Sequence, residues 1–256
     1  MTSNITYLVT GGNRGIGKGF VSTLLQRPSS TVIVAVRDPS ATSSKALNDL
    51  PKSADTKLIL VKLDSSVETD AAEAISQLKS LHGITALDVV IANAGIAADG
   101  STVRNTSIAN TKKHFAVNVL GPLTLFQATA DLLKASKSGN PKFVAVSTIL
   151  ASIGFMDNLT SFPNTQSPYG GSKAALNWFV RRLHFEEPWL SSWVFHPGLV
   201  ETDMANEAID GSGLTLEQLG AISVDTSVKG MIETIDKATR EVSGTFKSYD
   251  GSALPW

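Results

Sequence analysis

The sequence predicts an α/β fold: an open, doubly wound parallel sheet (a Rossmann fold) with helices on both faces, formed by all 256 residues as a single domain. First, short apolar segments of strand length alternate with longer helical segments, which is typical of βαβ units with right-handed crossovers. Second, most strands are rich in Val, Ile and Leu with little polar alternation, as in sheets covered on both faces. Third, no linker, repeat or low-complexity segment divides the chain.

Seven segments predict the strands, the last more weakly than the others: Ile5–Thr10, 31–36, 57–63, 87–92, 142–147, Ser191–His196 and 245–247. Between them, four segments predict helices: 16–26, 67–82, 108–135 and 169–187. Two loops are long for such a fold, residues 152–168 after the fifth strand and residues 199–221 after the sixth. Because ligands of open α/β sheets bind beyond the carboxyl ends of the strands, both loops are predicted to form substrate-binding walls.

Composition and charge restrict the possible partners. Hydrophobic residues make up 42% and charged residues 18%, an ordinary globular composition. With 22 basic and 23 acidic residues, the net charge of -1 gives no reason to expect a nucleic acid or a membrane as a partner. The lack of cysteine excludes disulfides, thiol catalysis and Cys-ligated zinc, and the four histidines show no ligand spacing, so no metal site is expected.

The termini and the hydropathy predict a cytoplasmic protein. No apolar run approaches the roughly 18 residues of a membrane helix. The amino-terminal residues enter the first strand without the basic and apolar regions of a signal peptide.

A glycine-rich turn follows the first strand directly and opens the first helix; residues 10–17 read TGGNRGIG. The glycines allow a tight turn, a close approach of the backbone to a ligand, and close packing of the helix on the strand. The amino terminus of the helix then presents N–H groups to a pyrophosphate. The turn thus predicts a dinucleotide site with these contacts: Gly11, Asn13, Arg14, Gly15, Ile16 and Gly17.

The glycine spacing, Gly-x-x-x-Gly-x-Gly, resembles that of the short-chain dehydrogenase/reductase family. Further family landmarks occur in the same order: Asn93-Ala94-Gly95 after the fourth strand, Asn118 within the helix 108–135, Tyr169-x-x-x-Lys173, and Pro197-Gly198 with Thr202. The resemblance covers essentially the whole chain and implies an oxidoreductase that uses a nicotinamide dinucleotide. It also implies these cofactor contacts: Asn93, Ala94, Gly95, Tyr169, Lys173, Pro197, Gly198, Val200 and Thr202.

A closer likeness is to fungal polyketide ketoreductases of the norsolorinic acid reductase type, carried by residues 6–11 (TYLVTG), 87–90 (LDVV), 125–129 (LFQAT) and 254–256 (LPW). This likeness implies a small hydrophobic carbonyl substrate, an aromatic or polyketide-like ketone. Four apolar side chains of the loop 152–168 are expected to line a pocket for a flat or bulky ketone, unless they serve packing of the loop: Phe155, Met156, Leu159 and Phe162.

The end of the second strand indicates which dinucleotide binds. A carboxylate at this point would accept hydrogen bonds from the ribose 2′-hydroxyl and repel a 2′-phosphate. Arg37 comes first after the strand, with Asp38 one step further and Arg14 in the glycine turn, and guanidinium groups bind phosphate through paired hydrogen bonds. The sequence therefore predicts NADP(H); alternatively, Arg37 is a surface charge and Asp38 binds the ribose. Asp64, at the end of the third strand, matches the family's contact to the adenine ring, or caps the helix that begins near residue 67.

Reduction of a ketone needs a hydride donor, which the nicotinamide supplies, and an acid at the carbonyl oxygen. Tyr169 is the candidate acid. Lys173 lies one turn away on the same helix face, where its ammonium, together with the positive charge of the oxidised nicotinamide, is expected to favour the tyrosinate and so to lower the phenol pKa from its usual value of about 10. The resemblance implies that Lys173 also binds the nicotinamide ribose. It further implies that Asn118 kinks its helix and holds a water that links Lys173 to solvent.

The third member of the family's catalytic set is a serine after the fifth strand, whose hydroxyl orients the substrate carbonyl. Here residues 147–148 read Ser-Thr, and the register assigns the role to Thr148, whose extra methyl group restricts χ1. Ser147 is the alternative if the strand ends one residue earlier, and Ser152 is a third candidate. Strand alternation directs only one of Ser147 and Thr148 toward the cofactor.

The leading functional hypothesis is NADPH-dependent reduction of a hydrophobic ketone to a secondary alcohol. The alternatives are oxidation of an alcohol at the same site and a catalytically silent NADP-sensing regulator, although such regulators tend to lose the Tyr or the Lys of the pair. The helices 108–135 and 169–187 carry apolar stripes on more than one face. Because the family pairs these two helices across a twofold axis, a homodimer or homotetramer is expected.

Overall fold

Seven parallel strands form one sheet in the computed structural model, which describes residues 4–159, 166–210 and 213–256. The strands are β1 (Ile5–Thr10), β2 (Ser30–Val36), β3 (Lys57–Lys62), β4 (Val89–Ala92), β5 (Lys142–Val146), β6 (Ser191–His196) and β7 (Phe246–Ser248). Their order is β3-β2-β1-β4-β5-β6-β7, and every pairing of neighbours is parallel. The order reverses between β1 and β4, which defines a topological switch point. The fold class predicted from the sequence is confirmed.

Helices cover both faces of the sheet. They are α1 (Gly15–Leu25), α2 (Thr42–Lys45), α3 (Asp70–His82), α4 (Ile108–Phe115), α5 (Gly121–Lys134), α6 (Ser167–Glu186), α7 (Asp203–Ile209) and α8 (Val224–Lys237). The sequence-based prediction lacks α2, α7 and α8. In α8 the missed signals are a cap, since Ser223 Oγ accepts the Thr226 N–H at 3.1 Å, and buried residues at helical spacing.

The core has two layers, one on each face of the sheet. Leu8 and Val9 are neighbours in β1 and therefore point to opposite faces. Leu8 packs with buried residues of α3, α5 and α6, whereas Val9 packs with those of α1 and α8. All residues of β2 are buried as well. A sheet covered on both faces explains why its strands lack polar alternation.

One helical stretch, Ile108–Lys134, is long and apolar enough to cross a membrane by length and composition, contrary to the expectation from the sequence. Half of its most apolar window is buried inside the protein. Within it, Leu125, Phe126 and Leu133 of α5 belong to the core layer described above. A helix packed in the core of a sheet meets the same criteria, and these contacts account for its apolar character.

Candidate active site

A cavity of about 700 Å³ lies beyond the carboxyl ends of the strands, at the switch point between β1 and β4. The Thr10 hydroxyl, at the end of β1, accepts the N–H groups of Asn93 and Ala94, which follow β4, each at 3.0 Å. The Asn93 side-chain amide donates to the carbonyl groups of Thr10 and Gly11 at 3.0 and 3.3 Å. These hydrogen bonds join the two strand ends and fix the shape of the cavity at the switch point.

The glycine-rich turn lies against this junction. Gly11 and Gly15 have φ angles of 66° and 50°, a backbone region that L side chains rarely adopt. A Cβ atom on Gly17 would lie 2.2 Å from the Gly11 carbonyl oxygen and 2.6 Å from the Asn93 amide nitrogen. Gly15, Ile16 and Gly17 form the start of α1 and line the cavity. A backbone that favours glycine, at the amino terminus of a helix, fits the pyrophosphate of a dinucleotide.

Charged residues line the cavity beyond β2. Arg14 and Arg37 are both exposed and belong to the lining. Asp38 belongs to it too, but its carboxylate accepts the hydroxyl and the N–H of Ser40 at 2.6 and 2.7 Å. These two hydrogen bonds lower the pKa of Asp38. The Asp38 carboxylate is thus engaged within its own turn.

Asp64, which follows β3, also lines the cavity. Its carboxylate accepts the N–H and the hydroxyl of Ser66 at 2.9 and 2.7 Å. Partial burial opposes ionisation, but these hydrogen bonds and the charge of Arg37 outweigh it and lower the pKa of Asp64. The alternative that Asp64 caps a helix near residue 67 is wrong, because α3 begins at Asp70 and Asp64 belongs to the preceding turn.

Three side-chain hydroxyl groups follow β5, and the structure directs each of them to a different partner. The Thr148 side chain faces Tyr169 in the cavity lining, and hydrogen bonding from it acts to lower the phenol pKa. The Ser147 hydroxyl donates instead to the Asn177 side-chain oxygen at 2.6 Å. The Ser152 hydroxyl donates to a backbone carbonyl near the end of the chain at 2.7 Å. Of the three candidates, Thr148 is the one that the fold brings to Tyr169.

Tyr169 and Lys173 lie one turn apart on α6. Lys173 is only 3% exposed, and its Nζ donates to the Val146 carbonyl at 2.8 Å. Burial lowers the pKa of Lys173 to about 8. Burial also raises the pKa of Tyr169 to about 12, and the hydrogen bond with Thr148 offsets only part of that shift. The expectation that Lys173 lowers the phenol pKa is therefore wrong for this structure, because desolvation of the phenol dominates.

Asn118 lies in the π-helical turn Ala116–Leu120, which joins α4 to α5, and is fully buried. Its side-chain oxygen accepts the Ile96 N–H and its nitrogen donates to the Ile96 carbonyl, each at 2.9 Å. The nitrogen also donates to the Ser172 hydroxyl at 3.0 Å. Asn118 thus ties the segment after β4 to α6. The helix is irregular at this residue, as expected, whereas its role in holding a water stays a prediction.

The segment after β6 contributes a further part of the lining. Thr202 caps α7, since its hydroxyl oxygen accepts the Ala205 N–H at 3.3 Å. A Cβ atom on Gly15 would lie 3.4 Å from the Thr202 methyl group, so this segment closes against the glycine-rich turn. All the cofactor contacts predicted here line the cavity: Pro197, Gly198, Val200 and Thr202.

One apolar wall of the lining contains residues that the sequence-based prediction did not name individually. They come from α7 and its flanks, with Leu150 added from the turn after β5: Leu150, Leu199, Met204, Ala205, Ala208, Ile209 and Leu219. The range 199–221 was predicted as a wall, but without a helix. Thr202 followed by the acidic Asp203 is a start signal from which α7 could have been found.

Of the other predicted wall, residues 152–168, Gln166 lines the cavity, but the apolar side chains expected there do not. Phe155, Met156 and Leu159 lie outside the cavity lining among the described residues. The reason is that the start of their loop is held elsewhere, since the Ser152 hydroxyl and the Gly154 N–H donate to the carbonyl groups of residues 255 and 256, each at 2.7 Å. Phe162, predicted for the same pocket, lies outside the described residues.

The remaining predicted cofactor contacts all line the same cavity: Gly11, Asn13, Arg14, Gly15, Ile16, Gly17, Arg37, Asp64, Asn93, Ala94, Gly95, Tyr169 and Lys173. The lining also includes Lys113 and Val117, for which the sequence offered no local signal. Within residues 4–159, 166–210 and 213–256, no group of three or more acidic or histidine side chains is placed to hold a metal ion.

Known proteins with similar sequences and folds are consistent with this geometry. The profile of the short chain dehydrogenase family matches residues 6–212. A norsolorinic acid ketoreductase of Dothistroma septosporum is 44% identical over 253 residues, which span 98% of this chain and 92% of that protein. The norsolorinic acid ketoreductase of Aspergillus parasiticus is 40% identical over 252 residues, 98% of this chain and 90% of that protein. Among solved structures, the NADPH-bound carbonyl reductase from chicken fatty liver has a TM-score of 0.86 at 29% identity, covering 99% of this chain and 100% of its own. The chain therefore belongs to the short-chain dehydrogenase family of oxidoreductases.

Proposed function

We propose that this protein reduces a hydrophobic, aromatic or polyketide-like ketone to a secondary alcohol, with NADPH as the hydride donor and Tyr169 as the proton donor. The observation that carries the proposal is that Tyr169, Lys173 and Thr148 line one cavity, which also has an apolar wall. The names of the two fungal relatives, norsolorinic acid ketoreductases, and of the chicken carbonyl reductase support this chemistry.

The protein's part in the reaction is to position the ketone and deliver a proton. When bound, NADPH supplies a hydride to the carbonyl carbon. Tyr169 donates its proton to the carbonyl oxygen, and its raised pKa keeps the phenol protonated at neutral pH until then. The oxygen of the Thr148 hydroxyl already accepts the Leu150 N–H at 3.3 Å, so its O–H serves as a donor to the same carbonyl oxygen. Lys173 stabilises the tyrosinate that remains, which regains its proton from solvent.

Two cations of the cavity lining support NADP(H) rather than NAD(H). Arg14 and Arg37 are exposed there and are suited to a 2′-phosphate. Asp38 is the carboxylate that would compete for a ribose hydroxyl, and one of its two oxygens is engaged with Ser40. The glycine-rich turn would hold the pyrophosphate, and Asp64 would lie near the adenine ring.

Oxidation of an alcohol at the same site is the alternative within the same class of enzyme, and there the phenolate of Tyr169 would act as the base. A catalytically silent NADP sensor remains the alternative from another class of function. The presence of both Tyr169 and Lys173 in the cavity argues against it.

Purified protein, NADPH and a panel of aryl ketones test the proposal through the loss of nicotinamide absorbance. We expect turnover of aryl ketones by the wild type and its loss in Tyr169→Phe, which keeps the ring and removes the hydroxyl. Tight NADPH binding without turnover of any carbonyl would favour the sensor. Faster oxidation of the matching alcohols than reduction of the ketones at neutral pH would favour the reverse reaction.

We further propose that the protein forms a homodimer or homotetramer through the outer face of α6. Trp178 and Phe185 are 62% and 61% exposed on this helix, and they line a shallow groove together with Ile153, Arg181 and Trp256. Contiguous exposed apolar groups of this kind mark interaction surfaces. Light scattering on the protein eluting from a sizing column measures the assembly, and a monomer over the whole concentration range would contradict it.

A further inference from the structure

The histidine that ends β6 contacts the turn that carries Thr148 without lining the cavity itself. His196 Nδ1 accepts the N–H of Ile149, the residue after Thr148, at 3.2 Å. Burial lowers the pKa of His196 to about 4, so the ring is neutral at neutral pH. A neutral imidazole that accepts at Nδ1 carries its proton on Nε2. The ring therefore provides a fixed acceptor for the turn after β5.

This contact extends the pairing of β5 and β6 beyond the end of the sheet. The Ser147 N–H donates to the Phe195 carbonyl at 2.7 Å. Two residues further along, the His196 side chain accepts the Ile149 N–H. Thr148 is thus held on both sides, by the main chain of β6 before it and by the imidazole after it.

The direction of the Thr148 side chain depends on this turn. Thr148 has φ −157° and ψ 152° and caps the short 3₁₀ turn Ile149–Ala151 by accepting the Leu150 N–H. Rotation of the peptide between Thr148 and Ile149 would displace the Leu150 N–H that the Thr148 hydroxyl accepts. The hydroxyl would then turn away from Tyr169. Displacements of about 1 Å at such positions change rates by up to about 100-fold.

We propose that His196 is a positioning residue for ketone reduction: by accepting the Ile149 N–H, it holds the Thr148 hydroxyl in the orientation that serves Tyr169 and the substrate carbonyl. The proposal rests on the proposed function, because His196 acts only through Thr148. Since His196 does not line the cavity, its loss is expected to lower kcat and to leave the KM for NADPH unchanged.

Two substitutions separate the acceptor from the bulk of the ring. In His196→Asn, the side-chain oxygen stands at the same number of bonds from Cα as Nδ1 and can accept the Ile149 N–H. In His196→Leu, a methyl group occupies that place and accepts nothing. We expect kcat for an aryl ketone to fall about tenfold in His196→Leu, the order of one lost hydrogen bond, and to stay within about twofold of the wild type in His196→Asn.

A double variant tests whether the effect passes through Thr148. In a Thr148→Ala background, His196→Leu is expected to cause no further loss of kcat, because the hydroxyl that it positions is already gone. If Thr148→Ala keeps full kcat, the proposed function is wrong in its use of this hydroxyl. If Thr148→Ala is slow but His196→Leu keeps full kcat, or lowers kcat equally in both backgrounds, the role of His196 alone is overturned.

If His196→Leu fails to fold, a comparison of His196→Asn with His196→Gln still tests the proposal. In His196→Gln the acceptor lies one bond further from the backbone than in His196→Asn, while both side chains are polar amides. We expect His196→Gln to have the lower kcat with the same KM for NADPH and a similar Tm. Equal kcat values in the two amide variants would overturn the positioning role.

Discussion

Removal of the Arg37 guanidinium tests the cofactor assignment directly. Arg37 follows the last residue of β2, lines the cavity and is exposed. Hydrogen bonds to charged groups contribute about 1.5–3 kcal/mol, whereas exposed ion pairs contribute about 0.2–1 kcal/mol. For an exposed arginine on a doubly charged phosphate we therefore take a value between these two ranges, about 1.4 kcal/mol, which corresponds to about a tenfold effect.

The expected result is a change in selectivity rather than a general loss. In Arg37→Ala, kcat/KM for NADPH falls about tenfold, whereas kcat/KM for NADH changes by less than about twofold, because NADH carries no 2′-phosphate. Initial rates at saturating ketone with each dinucleotide give both values. The loss is expected to shrink at high salt, since exposed charges are screened. Lys57→Ala is the matched control, because Lys57 is an exposed cation at the amino end of β3, at the opposite end of the strands from the cavity.

A substitution of Asp38 decides whether Arg37 binds a 2′-phosphate or Asp38 binds the ribose. One carboxylate oxygen of Asp38 accepts both hydrogen bonds from Ser40, and Asp38→Asn retains an oxygen that can do the same. We therefore expect Asp38→Asn to keep NADPH turnover. The reasoning is refuted if the wild type prefers NADH, or if Arg37→Ala leaves the NADPH to NADH ratio unchanged while Asp38→Asn reduces the use of both dinucleotides.

Three further predictions concern the catalytic groups. Tyr169→Phe removes the proton donor, so ketone turnover is expected to fall by about 10²–10⁴ with NADPH binding, followed by fluorescence, retained; undiminished turnover would exclude Tyr169 as the donor. Thr148→Ala is expected to lower kcat by about tenfold or more, whereas Ser147→Ala removes a hydroxyl turned away from Tyr169 and affects stability rather than rate; the reverse order would assign the role to Ser147. Burial lowers the pKa of Lys173 to about 8, so its charge is present below that pH and is lost above it. The pH profile of kcat for reduction is accordingly expected to fall through about pH 8, and a profile flat up to the pKa of an ordinary lysine would contradict this role.

The parts of the fold that the sequence predicts are those determined by local rules. The run of buried residues in β2 requires a strand covered on both faces. Gly11 and Gly17 stand where the backbone approaches itself too closely for a side chain, and this constraint is visible as a glycine pattern. The spacing of four residues between Tyr169 and Lys173 places them on one helix face whatever surrounds them.

The errors arise where the outcome depends on contacts that are distant in sequence. The apolar loop with Phe155 and Met156 suits either a pocket or local packing, and nothing near it decides between the two. The decision depends on the hydrogen bond of Ser152 to Pro255, 103 residues further along the chain. The pKa of Tyr169 was mispredicted for a related reason, because spacing gives the position of a charge but not the extent to which the fold removes water from the phenol.

Full burial of Lys173 and partial burial of Tyr169 determine at which stage of the reaction the ammonium acts. Before proton transfer the phenol is neutral, so the charge of Lys173 has no opposite charge on Tyr169 to attract. After transfer the ammonium lies one helical turn from a tyrosinate, and the desolvation that opposes each charge alone strengthens their attraction. An interaction that grows toward the transition state accelerates the step without tightening the binding of substrate. The Val146 carbonyl, which accepts Lys173 Nζ at 2.8 Å, holds the ammonium in place meanwhile, so the end of β5 positions both the ammonium, through Val146, and the hydroxyl of Thr148.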